Sequence, residues 1–99
     1  MNGVQLTQFF RVQNPSIFDE CDLLMEALVD AEDEYVFDAA VSADAERGVV
    51  IVEVSARGVD AYDAEIRALE RVRWALVERV RVELLSELTA ERRVSQLVA

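Results

Sequence analysis

Few side chains of this sequence are suited to acid–base or covalent chemistry. The 99 residues include no histidine and no lysine, and they include one cysteine, Cys21. Without histidine the chain lacks the commonest general base, and without lysine it has neither a Schiff-base amine nor the lysine of a phosphate-binding loop. One cysteine without histidine cannot build a structural zinc site. We therefore expect a non-enzymatic protein with no catalytic residues, no metal and no cofactor.

Carboxylates are abundant in this chain: twenty Asp and Glu residues stand against ten arginines, which gives a net charge of −10. Pairs such as Asp19 and Asp22 arise easily in so acidic a sequence, so they do not indicate a catalytic pair. The acidic balance also argues against direct binding of nucleic acid, which depends on basic contacts to phosphates. Cys21 lies between Ile17 and Leu24 on a predicted apolar helix face, where a thiol behaves as a small hydrophobe.

The negative charge is concentrated in the first half of the chain. Residues 1–46 contain eleven acids and one arginine, whereas residues 47–99 contain nine acids and nine arginines. Such asymmetry concerns partners and solubility rather than the fold. It indicates either a solvated surface or an acidic face that binds a basic protein as a mimic of nucleic acid. The candidate residues for that face are Asp30, Glu32, Asp33 and Glu34.

The spacing of apolar residues predicts the element order β-α-β-β-α. Residues 4–12 are rich in β-branched and aromatic side chains, which favours a strand. Residues 15–31 repeat apolar side chains at helical spacing behind an Asn-Pro start, which favours a helix. Residues 35–44 and 49–57 alternate as two strands around Gly48 and predict a β-hairpin.

The hairpin register follows from placing the apolar residues of both strands on one side of the sheet. The predicted pairs are Asp44 with Val49, Val41 with Val52, Ala39 with Val54 and Val36 with Arg57. The alanines of the first hairpin strand leave space for a helix close to the sheet. A cavity between this alanine-rich strand and the helices would suit a carrier of small ligands.

Residues 60–90 contain neither proline nor glycine, and they are predicted as one long helix with Asp60 as N-cap. A helix of about 45 Å is longer than a small sheet can cover, so its apolar second part needs a partner. Apolar residues on the outer face of the hairpin point to the same conclusion. The interface candidates are Trp74, Val77, Val80, Leu84, Leu85 and Leu88 on the helix, and Val49 and Ile51 on the hairpin.

These elements predict one small α+β domain over residues 1–99, with an antiparallel sheet of about three strands and two helices on one face. Residues 91–99 are predicted as a tail or a short strand. An additional C-terminal strand would give the ferredoxin-like split β-α-β order, which is the alternative fold.

The first functional hypothesis is a protein–protein interaction module that self-associates as a small acidic homodimer. The alternatives are an acidic nucleic-acid mimic or inhibitor that binds a basic protein, and a small-ligand carrier. No apolar run approaches the ~20 residues that cross a bilayer, and the first residues lack the features of a secretory signal. We therefore expect a cytoplasmic protein with no membrane partner.

Overall fold

The structure is a computed structural model that describes residues 2–12, 17–80 and 84–97. Its strands are β1 (Asn2–Val12), β2 (Val36–Asp44), β3 (Val49–Gly58), β4 (Leu84–Glu87) and β5 (Arg93–Gln96). Its helices are α1 (Ile17–Asp30) and α2 (Ala61–Trp74). A π-helical stretch, Ala75–Val80, continues α2 and is called the π segment below. A 3-10 turn, Thr89–Glu91, separates β4 from β5.

The strands form one antiparallel sheet in the order β2-β3-β1-β4, and β5 also pairs with β1. The two short strands share one edge of β1. β5 pairs with its residues Val4–Thr7, and β4 pairs with its residues Phe10–Val12. The α+β class is confirmed, and the extra strands give the ferredoxin-like alternative rather than a three-stranded sheet.

Both helices pack on one face of the sheet, as predicted. Apolar residues at every second position of β1 and β3 form a single core with the helices. From α1 the core receives Cys21, Leu24 and Leu28, which confirms the predicted apolar face of that helix. α2 packs on β3 and β1 through the fully buried residues Ala64 and Ala68. Their small side chains allow the helix to lie close to the sheet.

The start of α2 is fixed by the predicted cap. The Asp60 side chain accepts a hydrogen bond from the Asp63 backbone N–H at 2.7 Å. The Asp63 carboxylate accepts in turn from the Val59 N–H at 3.0 Å. The first bond satisfies an N–H that the helix itself leaves unpaired, and the second ties the residue before the N-cap to the first turn, one position earlier than in a capping box.

The hairpin register is correct beside the turn and wrong beyond it. Asp44 pairs with Val49 and Val41 with Val52, as predicted. The register then shifts between Phe37 and Ala40, so that Val36 faces Ala56 rather than Arg57. The predicted pair of Ala39 with Val54 is replaced by a β-bulge, in which two residues of β2 lie opposite one residue of β3.

Asp38 lies in this bulge and adopts a left-handed conformation with φ of 52°. Aspartate tolerates that region better than most residues because its short polar side chain can bond locally. The bulge keeps Val36 on the helix-covered face, where it is buried in the core. A uniform register would turn Val36 to the outer face of the sheet. The burial of Val36 therefore explains the register shift.

The long helix predicted over 60–90 is wrong. Among the described residues, α-helix ends at Trp74, the π segment ends at Val80, and Leu84–Glu87 is strand. The free edge of β1 explains the difference, because unpaired N–H and C=O groups of a strand are satisfied by pairing with another strand. Tertiary pairing here overrides a local sequence that contains no helix breaker.

Other boundaries differ by small amounts. The tail or short strand predicted over 91–99 is a short strand in its middle part, β5, which is four residues long. The proposed helix start at Asn14 and Pro15 and the middle of the predicted long helix, residues 81–83, lie outside the described residues. Within the described chain no helix combines the length and the apolar character that a membrane span requires.

Candidate ligand-binding site

An apolar pocket lies where the edge beside β1 is interrupted. It occupies about 240 Å³ between the helix-covered face of β1, α2 with the π segment, and the chain around the 3-10 turn. Its described lining residues are Gln8, Phe10, Leu69, Arg73, Leu76, Val77, Glu87 and Arg92.

Gln8 is the polar residue at the inner end of this pocket. It lies between Leu6 and Phe10 on the helix-covered face of β1, and only 4% of its surface is exposed. Its side-chain nitrogen Nε2 donates to Glu87 Oε1 at 3.1 Å. Its oxygen Oε1 is buried and has no hydrogen-bond partner in the described structure. A buried amide oxygen without a partner is costly, so this atom needs a donor.

The orientation of the Gln8 amide follows from its partner. An ionised carboxylate can only accept hydrogen bonds, so the NH2 end of the amide must face Glu87. The oxygen is therefore the atom left without a partner. Rotating the amide by half a turn would place two acceptors against each other and would not satisfy the oxygen.

Glu87 is held in place by Arg92 on the far side of the 3-10 turn. Arg92 Nε donates to Glu87 Oε1 and Arg92 Nη2 donates to Glu87 Oε2, each at 2.7 Å. Both side chains are about three-quarters buried, with 22% and 26% exposed for Glu87 and Arg92. Paired Arg–carboxylate bonds of this geometry are strong and directional. They close the pocket on the side of the sheet edge.

The opposite wall belongs to α2 and the π segment. Leu76 is buried, while Val77 is 54% exposed and Arg73 is exposed at the mouth. A π-helical turn has wider spacing than an α-helix and is frequent at functional sites. The successive residues Leu76 and Val77 both line the pocket, one at its base and one at its mouth.

The interface candidates whose side chains the structure describes differ in exposure. Val49 is fully buried within the chain, with 0% exposed, and Ile51 is half-buried on the outer face of the sheet. Trp74, Val80 and Leu88 are half-buried, and Leu84 and Leu85 belong to β4 rather than to a helix. The structure does bring together Trp74 and Val77, which share a shallow groove beside the pocket.

The acidic candidates follow α1 and are partly engaged within the chain. Asp33 Oδ2 accepts from Arg71 Nη2 at 2.8 Å, and Asp30 lies 3.9 Å from the Arg79 guanidinium. Arg71 also donates to the Ala31 carbonyl, and a cation at the end of a helix is favourable. Arginines from residues 47–99 therefore lie beside two of the four acidic candidates, Asp30 and Asp33. Glu32 and Glu34 are exposed.

Asp33 also stabilises the turn that precedes β2. Its Oδ1 accepts from the backbone N–H of Tyr35 at 2.8 Å and from that of Val36 at 2.9 Å. The hydrogen bond from Val36 holds the pKa of Asp33 below its usual value, with Arg71 and Tyr35 acting in the same direction against partial burial. The carboxylate therefore has a structural role in this turn.

Cys21 lies in the core, as expected from its helix face. Burial raises the pKa of its thiol, and the neighbouring Asp22 and Glu20 raise it further. A thiol with a raised pKa carries little thiolate at neutral pH, so the side chain suits packing better than nucleophilic chemistry.

Gln8 is not among the candidate residues predicted from the sequence. A signal was nevertheless present, because Val4, Leu6, Phe10 and Val12 occupy alternate positions of one strand and Gln8 completes that series. A polar residue in the middle of an apolar strand face must find a partner inside the protein. Glu87 and Arg92, which complete the site, belong to a stretch predicted as helix or tail.

In comparisons with known proteins, neither a protein-family model nor a curated protein matches the chain.

Proposed function

We propose that the protein is a non-enzymatic binding module whose pocket beside β1 holds a small, largely apolar molecule. The observation that carries the proposal is the pocket itself, which Phe10, Leu69, Leu76 and Val77 line together with Gln8, Arg73, Glu87 and Arg92. Binding sites for small molecules combine apolar walls with a few fixed polar groups, and this pocket has both.

The wall composition supports binding rather than catalysis. Phe10, Leu69 and Leu76 supply apolar surface. The one carboxylate among the described lining residues, Glu87, accepts hydrogen bonds from Gln8 and Arg92 through both oxygens. A carboxylate engaged in this way fixes the shape of the site and is poorly placed to act as a base.

The proposal is tested by backbone amide NMR during titration with benzyl alcohol and benzyl methyl ether as probes. We expect shifts concentrated at Phe10, Leu76 and Val77, together with a higher melting temperature, because a ligand that binds only the folded state stabilises it. No shift at these amides with either probe would contradict the proposal.

Two matched variants show whether the effect belongs to the pocket. Val77→Trp places a large side chain at the mouth and should abolish the shifts at Phe10 and Leu76. Val59→Trp makes the same change at a residue that is 80% exposed and does not line the pocket, and should leave them unchanged. Equal responses from both variants would indicate general adhesion of apolar probes to the surface.

Self-association is a second proposal, favoured by the exposed Val77 beside the half-exposed Trp74. Apolar side chains that adjoin on a surface are typical of contacts between proteins. Light scattering at micromolar concentration should give the mass of a dimer, and Val77→Glu should lower it to that of a monomer, while Val59→Glu should not. A monomeric unmodified chain would rule out the dimer.

A further inference from the structure

We infer that the pocket beside β1 takes a small carboxylate ion with an apolar body. The carboxylate accepts hydrogen bonds from Arg73 and Arg92. The body packs against the apolar walls, to which Phe10, Leu69 and Leu76 belong. This inference rests on the proposed binding function and specifies the class of ligand.

The polar side chains of the pocket offer more donors than acceptors. Glu87 is the single carboxylate among the described lining residues, and it already accepts from Gln8 and from two nitrogens of Arg92. These bonds use the Nε–H and one N–H of Nη2 of Arg92. They leave both N–H groups of Nη1 and the second N–H of Nη2 without an acceptor in the described structure. The Arg92 side chain is 26% exposed, so a ligand can approach it.

Arg73 adds a positive charge at the mouth of the pocket. It is exposed, and it takes part in none of the ion pairs found among the described residues. Glu70 and Glu78 line the neighbouring groove on its other side and do not line the pocket. Since Glu87 and Arg92 balance each other, the charge that remains among the described lining residues is that of Arg73.

The guanidinium groups and the apolar walls together define the ligand. A planar carboxylate matches the fork of a guanidinium and gains charge-assisted hydrogen bonds, whereas an ammonium group finds no free acceptor on Glu87. Phe10 and Leu76 are buried and Leu69 is partly buried. An aromatic ring or a short alkyl chain therefore removes apolar surface from water on both sides of the contact.

Three probes with one benzyl skeleton test the inference: phenylacetate, benzyl alcohol and benzylamine. Dissociation constants come from NMR titration of the unmodified chain at neutral pH and constant ionic strength, followed at the amides of Phe10, Leu76 and Val77. We expect phenylacetate to bind about tenfold more tightly than benzyl alcohol, and more tightly than benzylamine. The net charge of −10 favours the amine at any site without local selectivity, so a preference for the anion has to come from the pocket.

Two matched variants assign the preference to Arg73. Arg73→Gln removes the guanidinium at the mouth, so the preference for phenylacetate over benzyl alcohol should fall to about twofold or less. Arg57→Gln makes the same change at an exposed arginine of β3 that lies over the Phe37 ring and does not line the pocket, and it should keep the full preference. Retention of the preference in Arg73→Gln, or its equal loss in both variants, would overturn the assignment.

The outcomes separate the inference from the function on which it rests. Equal binding of phenylacetate and benzyl alcohol, or tighter binding of the amine than of the acid, overturns the inference while the pocket remains a binding site. Failure of all three probes to shift the pocket amides overturns the proposed function, and the inference with it.

Discussion

Two glutamines on β1 place the same side chain in two different environments, one on each face of the sheet. Gln5 on the outer face donates to Glu53 at 2.9 Å, and Gln8 on the helix-covered face donates to Glu87 at 3.1 Å. Gln5 is partly exposed, so water can reach its remaining polar atoms, whereas Gln8 is buried and its oxygen has no described partner.

The difference lies in burial rather than in chemistry. On the outer face, Glu53 also accepts from the Thr7 hydroxyl at 3.4 Å, and the side chains of Gln5, Thr7 and Glu53 are each partly exposed. A polar group near water loses little when a partner is missing, but a buried one loses the full cost of its desolvation. The same amide is thus a partly exposed group at Gln5 and a destabilising buried group at Gln8.

The largest expected change in stability comes from removing Glu87, the partner of Gln8, and the matched change is the removal of Glu53, the partner of Gln5. Glu87→Ala should lower the free energy of unfolding by about 2 kcal/mol, because Arg92 and the Gln8 amide both lose a partly buried partner. Glu53→Ala on the outer face should cost below about 1 kcal/mol. Urea denaturation measures both, and similar losses for the two variants would break the comparison.

A smaller effect of opposite sign is expected at the glutamines themselves. Gln8→Met removes the unpaired oxygen and should raise the free energy of unfolding of the ligand-free chain by about 1 kcal/mol, despite the lost bond to Glu87. Gln5→Met should change it by less than about 0.5 kcal/mol. Destabilisation by Gln8→Met would show that the oxygen already has a partner in solution.

The smallest expected change in stability concerns Asp33, a carboxylate that is more exposed than Glu87. The Asp33 side chain is 44% exposed, and its pKa in the folded state is lowered chiefly by the Val36 N–H. Its ionised form therefore stabilises the fold above the ordinary aspartate pKa of about 3.9, and this contribution is lost as the pH falls through the lower folded pKa. Solvent screening keeps it below about 1 kcal/mol.

Asp33→Asn tests this expectation. The variant should be slightly less stable than the unmodified chain at neutral pH, and the difference should vanish in strong acid. Urea denaturation across that pH range measures it. A difference that grows toward low pH would contradict the assigned direction of the pKa shift.

Local patterns in the sequence predicted the first helix, the hairpin turn and the cap at Asp60, since each depends on residues close together in the chain. Leu24 and Leu28 recur at helical spacing, and Gly48, which has φ of 64°, occupies the left-handed position of the hairpin turn. Such features are decided within a few residues. They were accordingly found without knowledge of the tertiary structure.

The candidate site depends on contacts that are distant in sequence, so local patterns do not predict it. Gln8 and Glu87 are 79 residues apart. Their meeting requires that the chain leave the helix after the π segment and return to β1, and no proline or glycine marks that change. The pairing energy of the open β1 edge decides it, and this is visible only once the sheet is assembled.

The bulge at Asp38 has a consequence for how molecules of this protein meet one another. β2 forms the free edge of the sheet opposite β4, and a regular free edge offers its backbone groups to strands of other molecules. The left-handed residue interrupts that edge, and its carboxylate is exposed. This local distortion therefore protects the protein against strand-by-strand aggregation, and it directs any assembly toward contacts between side chains.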